Sequence, residues 1–131
     1  MKIEVLIQGD PDIKPFTKTF QYEKEDEDIF IESAQLIKKR PSNNVRLNID
    51  ETIELFITYV VSSINEQKTY SEIRKNIPDL LSPNQVMIGV PETLRELTFT
   101  ITTNQMNLES ISVSTPIKIN PYFLHEQRQS A

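Results

Sequence analysis

The chain has 131 residues, of which 37% are hydrophobic and 25% charged, and its formal net charge is −5. That length suits one domain with a real core, and the acidic balance lacks the electrostatic footprint of a nucleic-acid binder. With no cysteine and a single histidine, His125, the chain excludes disulfides, a thiol nucleophile, a cysteine-based metal site and any multi-histidine site of its own.

The N-terminal MKIEVLIQGDPD holds one lysine and a short apolar run broken by charge. It lacks the apolar region and small-residue cleavage site of a signal peptide. No stretch approaches the length of a membrane span, so the expectation is a soluble, cytoplasmic protein with no membrane partner. Ile3, Val5 and Ile7 alternate with Lys2, Glu4 and Gln8, a period of two that predicts a strand. Gly9-Asp10-Pro11-Asp12 is turn chemistry. Phe16, Phe20 and Tyr22 alternate with Thr17, Thr19 and Gln21, and predict a second strand although Lys18 falls on the aromatic face. Residues 1–22 therefore read as an N-terminal hairpin.

Glu23 to Asp28 is a run of charge. It reads either as an acidic metal patch or, more simply, as a solvated connector whose acids begin a helix. That helix is expected from about Asp28 to Lys39, with Phe30, Ala34 and Ile37 on one face. Lys38, Lys39 and Arg40 suit its C-terminal end, and Pro41 should stop it. Ser42-Asn43-Asn44 reads as loop and Val45 to Leu47 as a short apolar link. Asn48 or Asp50 can cap the next helix. There Ile49, Ile53, Phe56, Ile57, Val60, Val61 and Ile64 follow helical spacing. Its many β-branched residues mark a buried helix held by packing rather than propensity.

Thr69 to Asn76 predicts a short helix with a Thr69–Glu72 capping box, ended by Pro78. Ser82 and Pro83 predict another, running to about Ile88, with Gly89 in a left-handed conformation just past its end. Pro91 to Leu94 suggests one further turn. Leu97, Phe99 and Ile101 alternate with Thr98, Thr100 and Thr102, and Ile111 and Val113 with Ser110, Ser112 and Ser114. These form a C-terminal hairpin across a loop at Asn104 to Asn107. The strand from Leu97 to Thr102 must lie at a sheet edge or find a partner. A polar tail follows Ile117 and contains Tyr122-Phe123-Leu124, candidate anchors for another chain.

The expected fold is α+β: a helical middle of three to four helices, with the two hairpins joined in one small sheet. Residues 1–117 are expected to form one domain and 118–131 a tail. The sequence presents no catalytic set, no cofactor-binding motif and no metal-ligand set. Gly9 and Gly89 stand alone, so there is no phosphate loop. Asp10 with Asp12, and Asp26 with Asp28, are close carboxylates, but such pairs do acid–base work only in a pocket that shifts their pKa values.

From Arg46 onward the chain resembles the gamma subunit of urease. The matching pieces are Arg46-Leu47-Asn48, the helix from Ile49 to Ile64, Lys68-Thr69, Gln85-Val86-Met87-Ile88-Gly89-Val90-Pro91-Glu92, and Thr115-Pro116-Ile117. It departs from that family at Ser63 to Gln67, where an Ala-Arg-Asp-Gly turn is usual. It departs again at Asn104 to Asn107, usually a turn containing Asp-Gly, and at Ser114-Thr115, which stands where the family has a histidine before Pro-Ile. The resemblance implies a non-catalytic subunit that assembles with the alpha and beta subunits of urease. The urea-hydrolysing dinuclear nickel site is held by the alpha subunit. The alternative is a gamma-like interaction module working outside urease, alone or as a homo-oligomer.

Overall fold

The computed structural model describes residues 1–42, 45–103 and 108–118. Two hairpins, β1 (Lys2–Gln8) with β2 (Phe16–Gln21) and β3 (Glu96–Thr102) with β4 (Leu108–Ser114), flank a helical middle. That middle contains α1 (Glu27–Ser42), α2 (Ile49–Asn65), α3 (Tyr70–Asn76) and the single turn α4 (Val90–Thr93). The four strands form one antiparallel sheet in the order β2-β1-β3-β4. The expected α+β fold and the union of the two hairpins are thus observed.

The pairing follows from side-chain alternation. Ile3 opposes Ile101, Val5 opposes Phe99 and Ile7 opposes Leu97, and all six are fully buried. A one-residue slip would turn them all to solvent. On the other face, β1 and β3 present Lys2, Glu4, Thr98 and Thr100. Lys18, the residue out of pattern in β2, opposes Val5, and its ammonium forms an ion pair with Asp50 in the first turn of α2.

The apolar stripe of α2 joins the inner face of the sheet in one buried cluster. Phe56 and Val60 are fully enclosed, and Ile53, Ile57 and Val61 are nearly so. Burying such side chains contributes about 1.5–3 kcal/mol each, far more than the helix's β-branched residues lose in propensity. Asn48 and Glu51 cap its start reciprocally: Glu51 N–H donates to Asn48 Oδ1 at 2.8 Å and Asn48 N–H to Glu51 Oε1 at 3.1 Å. At its other end Gln67 N–H bonds Ile64 O at 2.9 Å and Lys68 N–H bonds Ser63 O at 3.0 Å. This paired closure is a Schellman motif.

Helix α1 lies against α2. Its Phe30 ring sits 5.1 Å from Phe20 and 5.3 Å, edge-on, from Tyr22, which ties the first hairpin to the helices. Glu27 and Asp28 occupy its first turn, as expected of acids that begin a helix. Pro41 does not stop it. The helix continues through Ser42 with Pro41 in its last turn, where proline forgoes one i to i−4 hydrogen bond and the helix ends one residue later. The expected loop residues Asn43 and Asn44 lie outside the described residues, as do Asn104 to Asn107.

Two expectations are corrected nearby. The helix predicted from Pro83 to Ile88 is only a 3-10 turn, Pro83–Gln85. Val86 is extended instead and pairs in parallel with Leu47; this tertiary pairing overrides the local helix signal. Consequently Gly89 does not follow a helix. Its φ of 94° is left-handed as predicted, but it precedes α4 as the N-cap residue. At α3, Thr69 Oγ1 accepts from Glu72 N–H at 3.2 Å, the forward half of the predicted box. Finally, β3 finds the partner that the sequence asked for: β1 and β4 enclose it.

Candidate functional site: a pinned apolar loop beside a groove

The stretch from Gln85 to Glu92 is held at both ends. At its start, Leu47 N–H donates to Gln85 O at 3.0 Å and Met87 N–H to Leu47 O at 2.8 Å. Leu47 and Val86 are buried there. Val90 N–H then closes a turn onto Met87 O at 3.1 Å. Gly89, with φ 94° and ψ −18°, takes the turn position that requires positive φ. Thr93 Oγ1 donates to Gly89 O at 2.9 Å and locks the turn to α4.

At its end, the loop meets the first hairpin. Asp10 N–H donates to Glu92 O at 3.0 Å. A Cβ on Gly9 would lie 2.8 Å from Thr93 O and 2.9 Å from Glu92 O. Glycine is thus required at position 9 by close backbone approach, a reason beyond the turn chemistry visible in the sequence. Arg95 Nε donates to Asp10 Oδ1 at 2.7 Å. One carboxylate oxygen of Glu92 is buried without a hydrogen-bond partner among the described residues.

Between these anchors Met87 and Ile88 face solvent, Ile88 at 93% exposure. A fully exposed isoleucine on a rigid turn gains nothing from the isolated fold. Further exposed apolar side chains, Ile29 and Leu36, lie along α1.

Beside the loop is a groove of about 620 Å³ between α1, α2 and the segment from Asp79 to Gln85. Leu47, Leu55, Leu81, Ile31 and Tyr59 are among its apolar lining. Glu66, Lys68 and Asp79 are among its charged lining. Lys68 Nζ lies 5.6 Å from the Tyr59 ring centroid, in cation–π range, and 3.4 Å from Glu66. Asp79 pairs with Lys118 at 2.7 Å.

The sequence-singled carboxylates do not converge. Asp10 is spent on Arg95, Asp26 ends the 3-10 turn Lys24–Asp26, and Asp28 lies in the first turn of α1. Among the described residues no group of three or more His, Asp or Glu side chains could hold a metal ion. None of the helices described is long and apolar enough to cross a membrane. Tyr70 stands at the start of α3. Burial first, then the Glu109 carboxylate on β4, pushes its hydroxyl above the ordinary value of 10.0. His125 and Tyr122-Phe123-Leu124 lie outside the described residues. Sequence reasoning found the Gln85–Glu92 stretch but missed the Asp10–Arg95 pair, which joins residues 85 positions apart and leaves no local signal.

Comparison with known proteins points one way. The family model described as "Urease, gamma subunit" matches residues 20–117. The urease subunit gamma of Halalkalibacterium halodurans is 36% identical over 74 residues, which cover 56% of this chain and 74% of that protein. That of Haloquadratum walsbyi is 36% identical over 62 residues, covering 47% and 57% respectively. That of Prochlorococcus marinus strain AS9601 is 29% identical over 75 residues, covering 57% and 75%.

Proposed function

We propose, on the premise that this chain belongs to the urease gamma-subunit family, that it is a non-catalytic assembly subunit of a nickel-dependent urea-hydrolysing complex. The observation that carries this reading is the Gln85–Glu92 loop. Its backbone is bonded at both ends, while Met87 and Ile88 stand in water. Rigid apolar side chains with an exposed tip suit a docking contact, because little conformational entropy remains to be lost on binding. The partners in this reading are the urease alpha and beta subunits. The nickel and the chemistry belong to the alpha subunit, and this chain supplies surface.

A second reading, a gamma-like interaction module outside urease, is favoured by one observation. The strand β1 and most of β2 lie before the matched region and add structure of this chain's own to the sheet.

The test is affinity capture from native cell extract with the full-length chain as bait. Stoichiometric recovery of urease alpha and beta subunits is expected. Recovery of unrelated proteins alone transfers support to the second reading. A bait that retains nothing and stays monomeric at high concentration overturns both.

A further inference from the structure

We infer that the side of β3 covered by β1 is a strand-accepting site of this fold, which the chain fills in cis with its own N-terminal hairpin. The family match begins at Phe20, after all of β1. The matched part of the sheet is therefore essentially the β3–β4 hairpin. Taken alone, it would leave β3 bare on the side where β1 now pairs with it over seven residues, from Lys2 opposite Thr102 to Gln8 opposite Glu96. A bare strand of that length offers a row of unpaired N–H and C=O groups, a template for strand addition.

The site is more than an edge. Ile3, Val5 and Ile7 are fully buried, and each opposes a fully buried residue of β3. The occupant it selects is thus one antiparallel strand with aliphatic side chains at alternate positions. Backbone hydrogen bonds would give affinity, and the apolar row would give register. The connection to the matched core is built for a seated strand: Gly9 admits the backbone of Glu92 and Thr93, and Asp10 donates its N–H to Glu92 O and accepts from Arg95 at its carboxylate.

Closing this side in cis denies it to other chains. The remaining sheet edges are β2 and β4, so a partner strand would have to add there. This inference rests on the family membership and the topology, not on the assembly role.

The experiment uses the full chain with a protease site inserted after Glu23, cut after purification. The severed hairpin should remain as a one-to-one complex through size-exclusion chromatography. A fluorescent peptide of residues 1–22 in excess should exchange into it. The same peptide carrying Ile3→Ser, Val5→Ser and Ile7→Ser should compete at least roughly a hundredfold less well. If the core unfolds when the hairpin is washed away, adding the unmodified peptide should restore native circular dichroism. Failure to restore it, a folded core that ignores the peptide, or equal competition by the serine peptide would each overturn the inference. No urease subunit enters the assay, so its failure is separable from failure of the assembly role.

Discussion

Asp10 and Arg95, 85 residues apart, are joined by a 2.7 Å contact from Arg95 Nε to Asp10 Oδ1. The Arg95 carbonyl in turn accepts Thr115 N–H at 2.7 Å. One residue at the entrance to β3 thereby touches the first turn of the chain and the exit of β4. Both side chains of the ion pair are about two-fifths exposed, so water screens it and its coupling should be small. The adjacent contact at Gly9 is backbone against backbone and cannot relax by moving a side chain.

The two effects can be ranked by denaturant unfolding. Gly9→Ala should cost about 1–3 kcal/mol, because its methyl meets Thr93 O and Glu92 O below 3.0 Å. A double-mutant cycle with Asp10→Ala and Arg95→Ala should yield a coupling of roughly 1 kcal/mol or less. A coupling larger than the Gly9→Ala cost would reverse the ranking.

At Gly89 the cost is conformational alone. No atom lies within 4 Å of an added Cβ, yet φ is 94°. Gly89→Ala should therefore destabilise by about 1 kcal/mol or more, and Gly89→Asn by less, since asparagine tolerates positive φ better. Equal, negligible changes in denaturant midpoint would show that the turn does not constrain this residue.

Gln67 is the converse case. It holds φ 61° in the helix-closing position that glycine usually fills. Gln67→Gly should raise stability by about 0.5–1 kcal/mol, because the left-handed strain outweighs the extra chain entropy of glycine. A lower thermal midpoint in the variant would contradict this.

Tyr70 should set part of the alkaline limb of stability. Its folded-state pKa lies above the ordinary 10.0 through burial and the Glu109 carboxylate, so the folded state holds the proton more tightly than the unfolded one. The resulting stabilisation is complete below the unfolded value and is lost as pH rises toward the folded value. Tyr70→Phe should flatten that limb, and Glu109→Gln should lower the tyrosine's titration midpoint in ultraviolet absorbance. An unchanged midpoint in the glutamine variant would remove Glu109 as a cause.

Met87→Ser combined with Ile88→Ser should leave unfolding stability within about 0.5 kcal/mol, as for exposed positions generally. The same change should weaken capture of urease subunits from extract. Full retention of capture would place the docking contact elsewhere.

Local pattern made most of the architecture legible. Period-two alternation at Ile3-Val5-Ile7 and Leu97-Phe99-Ile101 marks strands whose buried faces are the observed ones. The helical spacing from Ile49 to Ile64 marks a helix that spans Ile49–Asn65. The left-handed conformation of Gly89 was legible from its place at the expected end of a helical turn, where glycine commonly takes positive φ. Its structural partner was misread: Val86 obeys Leu47, some forty residues earlier, rather than the capping signal at Ser82.

The sequence by itself determined the element types, the burial of alternate residues and the resemblance to the urease gamma family. Those signals lie between near neighbours, where the pitch of a helix or the pleat of a strand repeats them. Only the tertiary structure decided that β1 enters the sheet between β2 and β3, that Gly9 must admit the backbone of Glu92 and Thr93, and that Asp10 meets Arg95. Such choices depend on long-range complementarity of surfaces, which acts only after the chain has closed its loops and leaves no periodic trace in the order of residues.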